Sequence, residues 1–382
     1  CQIVRQVASQ RQVQEVMADF WLNHFNVFAR KGLVKLYAAD YVERAIRPNA
    51  LGRFEDLLVA TARHPAMLLY LDNAKSSAPP PPGSPAARQH RRGITENYAR
   101  ELLELHTLGV DGGYTQNDVI EVARVLTGWS VSGPEEGDLG YKFRERLHDR
   151  GEKIVLGQTY PAGGGEDEGL RLLHQLAEHP STARHLARKL CERFVADRPP
   201  ASCVESAARA YLGSNGDIRV TLRAIEESPE FWENRGNKLK SPLRFVVSAL
   251  RSVGAKLEPT THLSNALNRL GQGLLLEPVP TGYPETAEEW ASAGSALARM
   301  HFATLLGTGR LPGVSVDTQQ LFKSAETADQ IVVSINDAVL GQSGSPRTVK
   351  LLTDQLRGVE SPEQRRAVAL ALALGSPDFQ RQ

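Results

Sequence analysis

The stretch ITENYARELLELHTLGVDGGYTQNDVIEVARVLTGW, residues 94–129, decides the fold that the sequence predicts. It contains two segments in which apolar residues recur at helical spacing, joined by a glycine-rich turn, DGG, at 111–113. It also holds the densest group of ionisable side chains in the sequence. The stretch therefore predicts a helical hairpin, and it is the first place to look for a chemical site.

The first helix of this hairpin divides its side chains between two faces. At about 100° per residue, one arc of the helix is apolar and the other is polar. The polar arc carries Glu96, Asn97, Arg100, Glu101 and Glu104. Glu96 and Arg100 have the four-residue spacing of a helix ion pair. His106 projects into the apolar arc, so it points away from the two glutamates at 101 and 104.

The second helix of the hairpin is predicted to begin after Thr115. The sequence TQND at 115–118 has the spacing of a capping box, with aspartate in place of the usual glutamate. Apolar residues follow at helical spacing from Val119 to Leu126, and Gly128 ends the helix. Gly109 lies where a left-handed cap would end the first helix. These signals fix both ends of the turn.

Composition excludes two broad classes of function. The chain has 382 residues, with 45 Lys and Arg against 44 Asp and Glu, and its formal net charge is +1. A chain so close to neutral generates no overall field to attract nucleic acid. No uninterrupted apolar run approaches the roughly 20 residues that a membrane helix needs. We therefore predict neither nucleic-acid binding nor a transmembrane segment.

The spacing of the cysteines predicts neither a disulfide framework nor a metal site. Cys1, Cys191 and Cys203 match neither a disulfide pattern nor a zinc pattern. Because the first residue is cysteine rather than methionine, we expect the native N-terminus to be missing. An export signal would have been lost with it, and the sequence leaves the compartment open.

A second motif of interest, FWLNHF at 20–25, precedes the hairpin. Apolar residues at helical spacing around it predict an amphipathic helix. Asn23 and His24 stand among large aromatic side chains, where an unpaired buried polar group costs about 1–3 kcal/mol. Two interpretations of His24 stay open. It is either a core histidine bonded to a backbone carbonyl, or a metal ligand or general base.

The predicted fold class is all-α, a multi-helix globular bundle that we expect to form one continuous compact unit. Residues 1–130 form an N-terminal helical part with the hairpin, 131–165 an irregular or extended insertion, and 166–382 a C-terminal helical part. The proline-rich segment at 75–92 is predicted to be an extended, mobile loop. It is either a lid over the hairpin or a solvated excursion.

Within the insertion, residues 141–143 and 153–156 are predicted to be short strands that pair as a β-hairpin near 140–157. His148 and Asp149 lie between them and are candidates to reach a site, although such a pair more often forms a turn. The helix predicted after Pro180 carries four basic residues, Arg184, Arg188, Lys189 and Arg193. They can bind phosphate or another anion, but a solvated or salt-bridged face is the favoured interpretation.

Several motifs together resemble the bacterial family called domain of unknown function 1800. They are FWLNHF at 20–25, IRPNALGRFEDLL at 46–58, HPAMLLYLDN at 64–73, TENYARELLELHTLGVDGGYTQNDV at 95–119, ARVLTGW at 123–129, HD-x-GEKIVLG at 148–157, HPSTARHLARKL at 179–190, KSPLRFVVSALR at 240–251 and SPDFQ at 376–380. The resemblance covers nearly the whole chain.

The resemblance implies a largely helical bacterial protein, and it implies no reaction. Family members often carry an export signal, so the resemblance suggests a periplasmic or extracellular location. They are often encoded beside a member of another uncharacterised exported family, domain of unknown function 1501, which is the expected partner. Such proteins usually have more helix ahead of the FWxNHF motif than the nineteen residues present here.

Two hypotheses of different class follow. In the first, the protein is a metal-dependent or acid–base enzyme whose catalytic residues are Glu101, Glu104, His24 and Arg100. A divalent metal ion would be held by His24, Glu101 and Glu104. The other pocket candidates are Asn23, Glu96, Asn97, His106, His148 and Asp149. In the second hypothesis, the protein is a non-catalytic scaffold or partner-binding protein, and the charged cluster is a salt-bridge network.

Overall fold

Helices account for 59 % of the chain and strands for 5 %, so the predicted mostly α fold class is confirmed. The computed structural model describes residues 2–80, 93–137, 139–258 and 261–382. Residues 81–92, the greater part of the predicted proline-rich loop, lie outside this description. The two interpretations of that loop, a lid or a solvated excursion, therefore stay predictions.

The helices that precede the hairpin pack around α2, which carries the FWLNHF motif. They are α1 (Gln2–Ala8), α2 (Gln12–His24), α3 (Val34–Asp40), α4 (Arg47–Asn49), α5 (Phe54–Ala62) and α6 (Pro65–Tyr70). A π-helix, Tyr41–Ile46, joins α3 to α4. Trp21 on α2 is buried and donates its indole N–H to the carbonyl of Ala50, 3.0 Å away. Arg47 also forms an ion pair with Glu15 at 2.5 Å, so two contacts hold α2 against the segment at 47–50.

The predicted hairpin is present as two helical segments joined by a turn. Its first segment is α7 (Asn97–Glu101) and its second is α8 (Gln116–Val125). The predicted capping box is confirmed, because the Asp118 amide donates to Thr115 Oγ1 and the Thr115 amide donates to Asp118 Oδ2, at 3.2 and 2.8 Å. These two bonds satisfy backbone donors that the first turn of a helix leaves free.

The first helix of the hairpin widens into a π-helix at Leu102–His106, which regular helical spacing did not predict. The Gly109 amide closes its end by donating to the carbonyl of Leu103, six residues earlier, at 3.2 Å. Gly109 has φ +85°, which a residue without a side chain adopts at no steric cost. Single π turns are found frequently at functional sites.

The insertion contains two β-hairpins rather than the predicted one. Strand β1 (Trp129–Val131) pairs antiparallel with β2 (Tyr141–Phe143), and β3 (Lys153–Val155) pairs with β4 (Gln158–Tyr160). The predicted pairing of 141–143 with 153–156 is therefore wrong. The reason is the turn at 156–157, where both residues have positive φ, +50° and +76°. Two such residues form the tight turn that favours pairing between adjacent strands.

The C-terminal part is a succession of helices with one short pair of strands, β5 (Lys256–Leu257) and β6 (Val314–Ser315). The helices are α9 (Glu166–Ala177), α10 (Pro180–Phe194), α11 (Ala201–Gly213), α12 (Ile218–Glu226), α13 (Pro229–Glu233), α14 (Pro242–Ser252), α15 (His262–Arg269), α16 (Ala287–Trp290), α17 (Ala293–Gly307), α18 (Thr318–Phe322), α19 (Ala328–Ala338), α20 (Pro346–Arg357), α21 (Pro362–Gly375) and α22 (Pro377–Gln380). None of the helices built from described residues has the length and apolar character to cross a membrane.

The buried apolar side chains form two clusters. The first extends from Met17 on α2 to Ile225 on α12 and includes the hairpin. The second joins Ile3 on α1 to side chains between Leu243 and Phe379. A segment within the range of the second cluster, the loop at 277–285, returns to bond with α2. The three-part division at residues 130 and 165 stays a prediction.

A disulfide joins Cys191 on α10 to Cys203 on α11, with their Cα atoms 6.4 Å apart. The interpretation that the cysteines form no disulfide pattern is therefore wrong for this pair. Spacing along the chain does not show whether two helices place their cysteines on facing turns. Here a short connection folds α11 back against α10, and the two buried side chains meet.

Removing this disulfide is expected to lower the free energy of unfolding by about 3 kcal/mol, because the bond closes a short loop in the unfolded chain. The change is the double substitution Cys191→Ser and Cys203→Ser, and the measurement is denaturant unfolding followed by circular dichroism. A thiol reductant should weaken the parent chain by a similar amount and leave the double variant unchanged. Equal stability of parent and variant would contradict this expectation.

Candidate functional site

A cavity of about 410 Å³ opens between α2, α10 and the loop at 277–289. His24 and Phe20 of the FWLNHF motif form part of its lining, and the motif therefore does face a space that can take a ligand. The remaining lining residues are Asn23, Lys189, Glu192, Glu277, Val279, Thr281, Gly282, Tyr283, Pro284, Glu285 and Glu289. The size falls within the range of small-molecule sites, which is about 300–1,000 Å³.

Two asparagines bind the loop that forms one wall of the cavity. Asn23 lies in α2, and Asn26 lies just after that helix. The side-chain amide of Asn23 bonds both ways with the backbone of Tyr283, donating to its carbonyl at 2.8 Å and accepting from its amide at 2.7 Å. Asn26 donates to the carbonyls of Glu277 and Val279, at 3.0 and 2.8 Å. Asn23, a predicted pocket residue, thus fixes the position of the wall.

Helix α10 presents a polar stripe to this cavity. His185, Lys189 and Glu192 are spaced by four and three residues, which places them on one side of a helix. Lys189 and Glu192 line the cavity and both are half-buried. Among the residues that the structure describes, neither side chain makes a hydrogen bond or a close ion pair. An amine and a carboxyl group are thus held facing one cavity without direct partners.

The surroundings move the pKa values of these two groups in opposite directions. Burial lowers the pKa of the Lys189 amine, and the charges of Glu285 and Glu192 only partly offset that effect. Burial raises the pKa of the Glu192 carboxyl, and Glu285 raises it further. Both shifts favour the uncharged form of each group.

His24 is held neutral at the inner end of the cavity. Its Nε2–H donates to the carbonyl of His106 at 3.1 Å, which leaves Nδ1 as an acceptor with no partner in the described structure. Burial lowers the pKa of His24 well below its ordinary value, and the charge of Lys189 lowers it further. The predicted bond from a core histidine to a backbone carbonyl is present, and the ring also has a free lone pair.

Two further histidines pack behind His24. His106, at the end of the π-helix, is buried, and neither of its ring nitrogens has a partner in the described structure. The centre of the His106 ring lies 6.0 Å from the centre of the His24 ring, and the centre of the His185 ring lies 6.2 Å from the centre of the His24 ring. Burial lowers the pKa of His106 to about 3 and that of His185 to about 4. All three imidazoles are therefore neutral at ordinary pH.

A buried network of ion pairs lies beside the cavity. Arg193, only 3 % exposed, donates to Glu285 and to Asp19, both at 2.7 Å. Arg244 donates to the second oxygen of Glu285 at 2.8 Å. Burial alone would raise the pKa of the Glu285 carboxyl, but Arg193 and Arg244 outweigh it and hold that pKa below its ordinary value. Glu285 thus places a fixed negative charge near Lys189.

The glutamates of the hairpin do not line this cavity. Burial and the charge of Glu104 raise the pKa of Glu101, and Glu104 accepts a 3.4 Å bond from the hydroxyl of Tyr114. Arg100 pairs with Glu96 at 3.1 Å, as the helix spacing predicted. The structure therefore brings His24 to the cavity and leaves these four side chains on another face of the hairpin.

Three other pocket candidates have local structural contacts. Asn97 donates to the carbonyl of Leu71 at 3.3 Å. His148 is buried, and its Nδ1 lies 2.9 Å from the carbonyl of Thr127. Asp149 accepts two 3.0 Å bonds from Arg124. None of the three lines the cavity beside His24.

The metal hypothesis stays a prediction. Among residues 2–80, 93–137, 139–258 and 261–382, no group of three His, Cys, Asp or Glu side chains is arranged to hold a metal ion. His24, Glu101 and Glu104 in particular do not form such a group. The hypothesis therefore has no assembled ligand set in this structure to support it.

Sequence reasoning missed Lys189, Glu192 and Glu285 as site residues. It treated the basic side chains of α10 as one face, yet Arg184 and Arg188 are exposed while Arg193 is buried. The signal that could have found the site is the spacing of His185, Lys189 and Glu192 on one side of the helix. No comparable local signal marks Glu285, because it reaches the cavity from a distant loop.

The chain is similar to a known protein family. No curated protein matches the chain. No solved structure matches it either. The family model described as "Protein of unknown function (DUF1800)" matches residues 1–381, essentially the full length. The expected resemblance is thereby confirmed, and the chain belongs to the DUF1800 family.

Proposed function

We propose that the chain is an acid–base enzyme in which Lys189 accepts a proton and Glu192 donates one, in the cavity beside His24. One observation carries this proposal. The amine and the carboxyl are half-buried on the same face of α10 and open to the same cavity, and neither has a direct partner among the residues that the structure describes. The nearby charges of Arg193, Arg244, Asp19 and Glu285 are, by contrast, all paired.

The directions of the pKa shifts support these roles. A general base works best when its pKa lies near the working pH, and enzymes bring lysine to that range by burial. The lowered pKa of Lys189 increases the fraction of free amine, and the raised pKa of Glu192 increases the fraction of protonated acid. The pair is thus prepared to remove a proton at one atom of a substrate and to return one at another.

The side chains that line the cavity favour one class of substrate. His24 lines the cavity, and its Nδ1, which is shielded from solvent, has no hydrogen-bond partner among the described residues. The loop contributes Glu277 and Glu289 to the lining, in addition to Glu285. An excess of carboxylates disfavours anions, so the cavity suits neutral or cationic substrates.

A second candidate is a non-catalytic protein that binds a partner outside the cytosol. The disulfide supports the compartment, because such bonds persist mainly in exported proteins. The pairing of Arg100 with Glu96 supports a structural role for the hairpin charges. In this alternative the expected partner remains an exported protein of the domain of unknown function 1501 family.

The test begins with the reactivity of Lys189. Trace labelling with acetic anhydride over a range of pH, read by peptide mass spectrometry, is expected to reach its half-maximal rate at Lys189 below pH 10.5, the ordinary pKa of a lysine amine, because burial lowers the pKa of Lys189. Proton exchange at carbon in D₂O is then measured by NMR for neutral and cationic carbonyl compounds. Lys189→Met and Glu192→Gln should each slow that exchange by about 10²–10⁴-fold.

The matched control is Lys350→Met, which removes an exposed lysine away from the cavity and should leave exchange unchanged. A half-maximal labelling rate for Lys189 at or above pH 10.5 would contradict its role as the base. Exchange that persists at the parent rate in both site variants would favour the second candidate.

A further inference from the structure

A second and larger cavity, about 740 Å³, lies between α1, α2, α13 and α14. Its lining includes Asp19, Arg193 and Arg244 of the buried ion network, together with the C-terminal Gln382. The first cavity meets the same network through Glu285. The ion pairs therefore connect the walls of two separate cavities, and only the first of these contains the proposed acid–base pair.

The walls of this second cavity are largely apolar. They contain aromatic and aliphatic side chains from α2, α10, α13 and α14, namely Val16, Phe194, Phe231, Trp232, Leu243 and Val247. Trp232 is 60 % exposed although it lies among them. Its indole N–H is already satisfied by the carbonyl of Glu226 at 3.0 Å. The exposed ring is thus left with an apolar surface that a ligand could cover.

The charges around this cavity are predominantly positive. Five lining side chains are cationic and three are acidic. Two of the acids are paired within the protein, Glu15 with Arg47 and Asp19 with Arg193. Three of the cations are paired as well, Arg193 and Arg244 with Glu285 and Lys238 with Asp197. Among the described residues this leaves Arg235 and Arg251, against Glu226, without an ion-pair partner. Arg251 donates only to backbone carbonyls. Arg235 is exposed, and its side chain makes no contact with an acid among the described residues.

Two unsatisfied donors belong to arginines that line the cavity. The Nε–H groups of Arg193 and Arg244 have no acceptor among the described residues, although Arg193 is almost completely buried. An unpaired donor on a buried charged group is costly, and native structures rarely leave one. A carboxylate that enters the cavity would supply a charge of the opposite sign to Arg235, which has no acidic partner among the described residues.

We infer that this cavity binds an organic anion with an apolar body, of the chemical class of a long-chain or aromatic carboxylate. The aromatic and aliphatic side chains of the walls contact the apolar body, and the arginines bind the acid group. A cavity of this size holds a whole small molecule rather than a single side chain of a partner. The inference is independent of the proposed acid–base function, because Lys189 and Glu192 do not line this cavity.

The probe is dodecanoate, titrated below its aggregation concentration into the full chain by isothermal calorimetry. The matched control ligand is dodecyltrimethylammonium, which has the same chain and a cationic head. Dodecanoate is expected to bind at least about tenfold more tightly than the cation, with quenching or enhancement of Trp232 fluorescence. Val247→Trp, which fills the cavity, should weaken dodecanoate at least about tenfold.

A second variant keeps the test valid if the filled cavity destabilises the fold. Arg235→Gln removes an exposed charge and should weaken dodecanoate about three- to tenfold, whereas Arg357→Gln on α20 should change nothing. Lys189→Met should bind dodecanoate like the parent, even if the acid–base proposal fails. Equal affinity for the two ligands, or parent-like dodecanoate binding in Val247→Trp and Arg235→Gln, would overturn the inference.

Discussion

Replacing Arg193 with methionine is expected to lower the free energy of unfolding by about 3–5 kcal/mol, because breaking a buried ion pair leaves an uncompensated buried charge. Arg193 is 3 % exposed and bonds to two carboxylates at 2.7 Å. Glu285 would keep Arg244 as a partner. Among the described residues, Asp19 would keep no hydrogen-bonded cation in place of Arg193. Most of the expected loss of stability therefore comes from the unpaired charge of Asp19.

The same substitution should change how stability depends on pH. The pKa of Glu285 is lower in the folded chain than its ordinary value of 4.5. A carboxyl group of this kind contributes stability that is fully present above its unfolded pKa and is lost as the pH falls through the folded pKa. The parent chain therefore loses this contribution in acid, while the variant has already lost the part that Arg193 supplies and keeps the part that Arg244 supplies. The difference in stability between them should shrink below about pH 4.5.

Denaturant unfolding between pH 3 and pH 8 measures both effects. The control is Arg188→Met on the same helix, where the side chain is exposed and the expected change is within about 0.5 kcal/mol. If Arg193→Met cost no more than Arg188→Met at pH 7, the ion network would not stabilise the fold in the way its geometry indicates. A difference that grew in acid would contradict the assignment to carboxylates.

Replacing Gly282 with alanine is expected to cost about 2–5 kcal/mol. The residue has φ +74°, which costs a residue with a side chain about 1–2 kcal/mol. Its added Cβ would also lie 2.3 Å from the backbone oxygen of Asn23, and relieving such a contact costs about 1–3 kcal/mol. Both effects act on the loop that Asn23 holds against the cavity.

Gly163→Ala is the matched control for this substitution. Gly163 has φ +85°, and nothing lies within 4 Å of the Cβ that alanine would add, so only the backbone cost applies. Unfolding free energies give the total effect, and hydrogen exchange at the Tyr283 amide reports the loop, because that amide donates to Asn23. Equal costs for the two alanines, with unchanged exchange at Tyr283, would show that the close approach to Asn23 is not needed.

Local signals in the sequence were sufficient for much of the fold. Helical spacing predicted the hairpin, and the spacing of Thr115 and Asp118 predicted its capping box. The π-helix at Leu102–His106 was not predictable in this way, because an analysis at 100° per residue assumes regular α geometry. The predicted strand pairing was also wrong, because leucine rarely adopts positive φ, so Leu156 gave no indication of a tight turn.

The candidate site was only partly predictable for a related reason. His24 and Asn23 were identifiable because polar side chains stand out within an aromatic helix. Glu101 and Glu104 were attractive as a pair of carboxylates, but tertiary packing places them outside the cavity. Glu285 and Lys189 are almost one hundred residues apart in the chain, and no periodicity relates them. Proximity of this kind is decided by the packing of distant helices.

The bonds between Asn23 and Tyr283 have a consequence for the order in which the molecule is built. They join residues 260 positions apart, and contacts of such long sequence separation are the slowest to form. A chain emerging from the ribosome can bury its first apolar cluster as soon as α12 is complete. The wall of the proposed site arrives only with the loop that follows α15. The protein therefore buries its first apolar cluster early and acquires the wall of the cavity later, before its second cluster is complete.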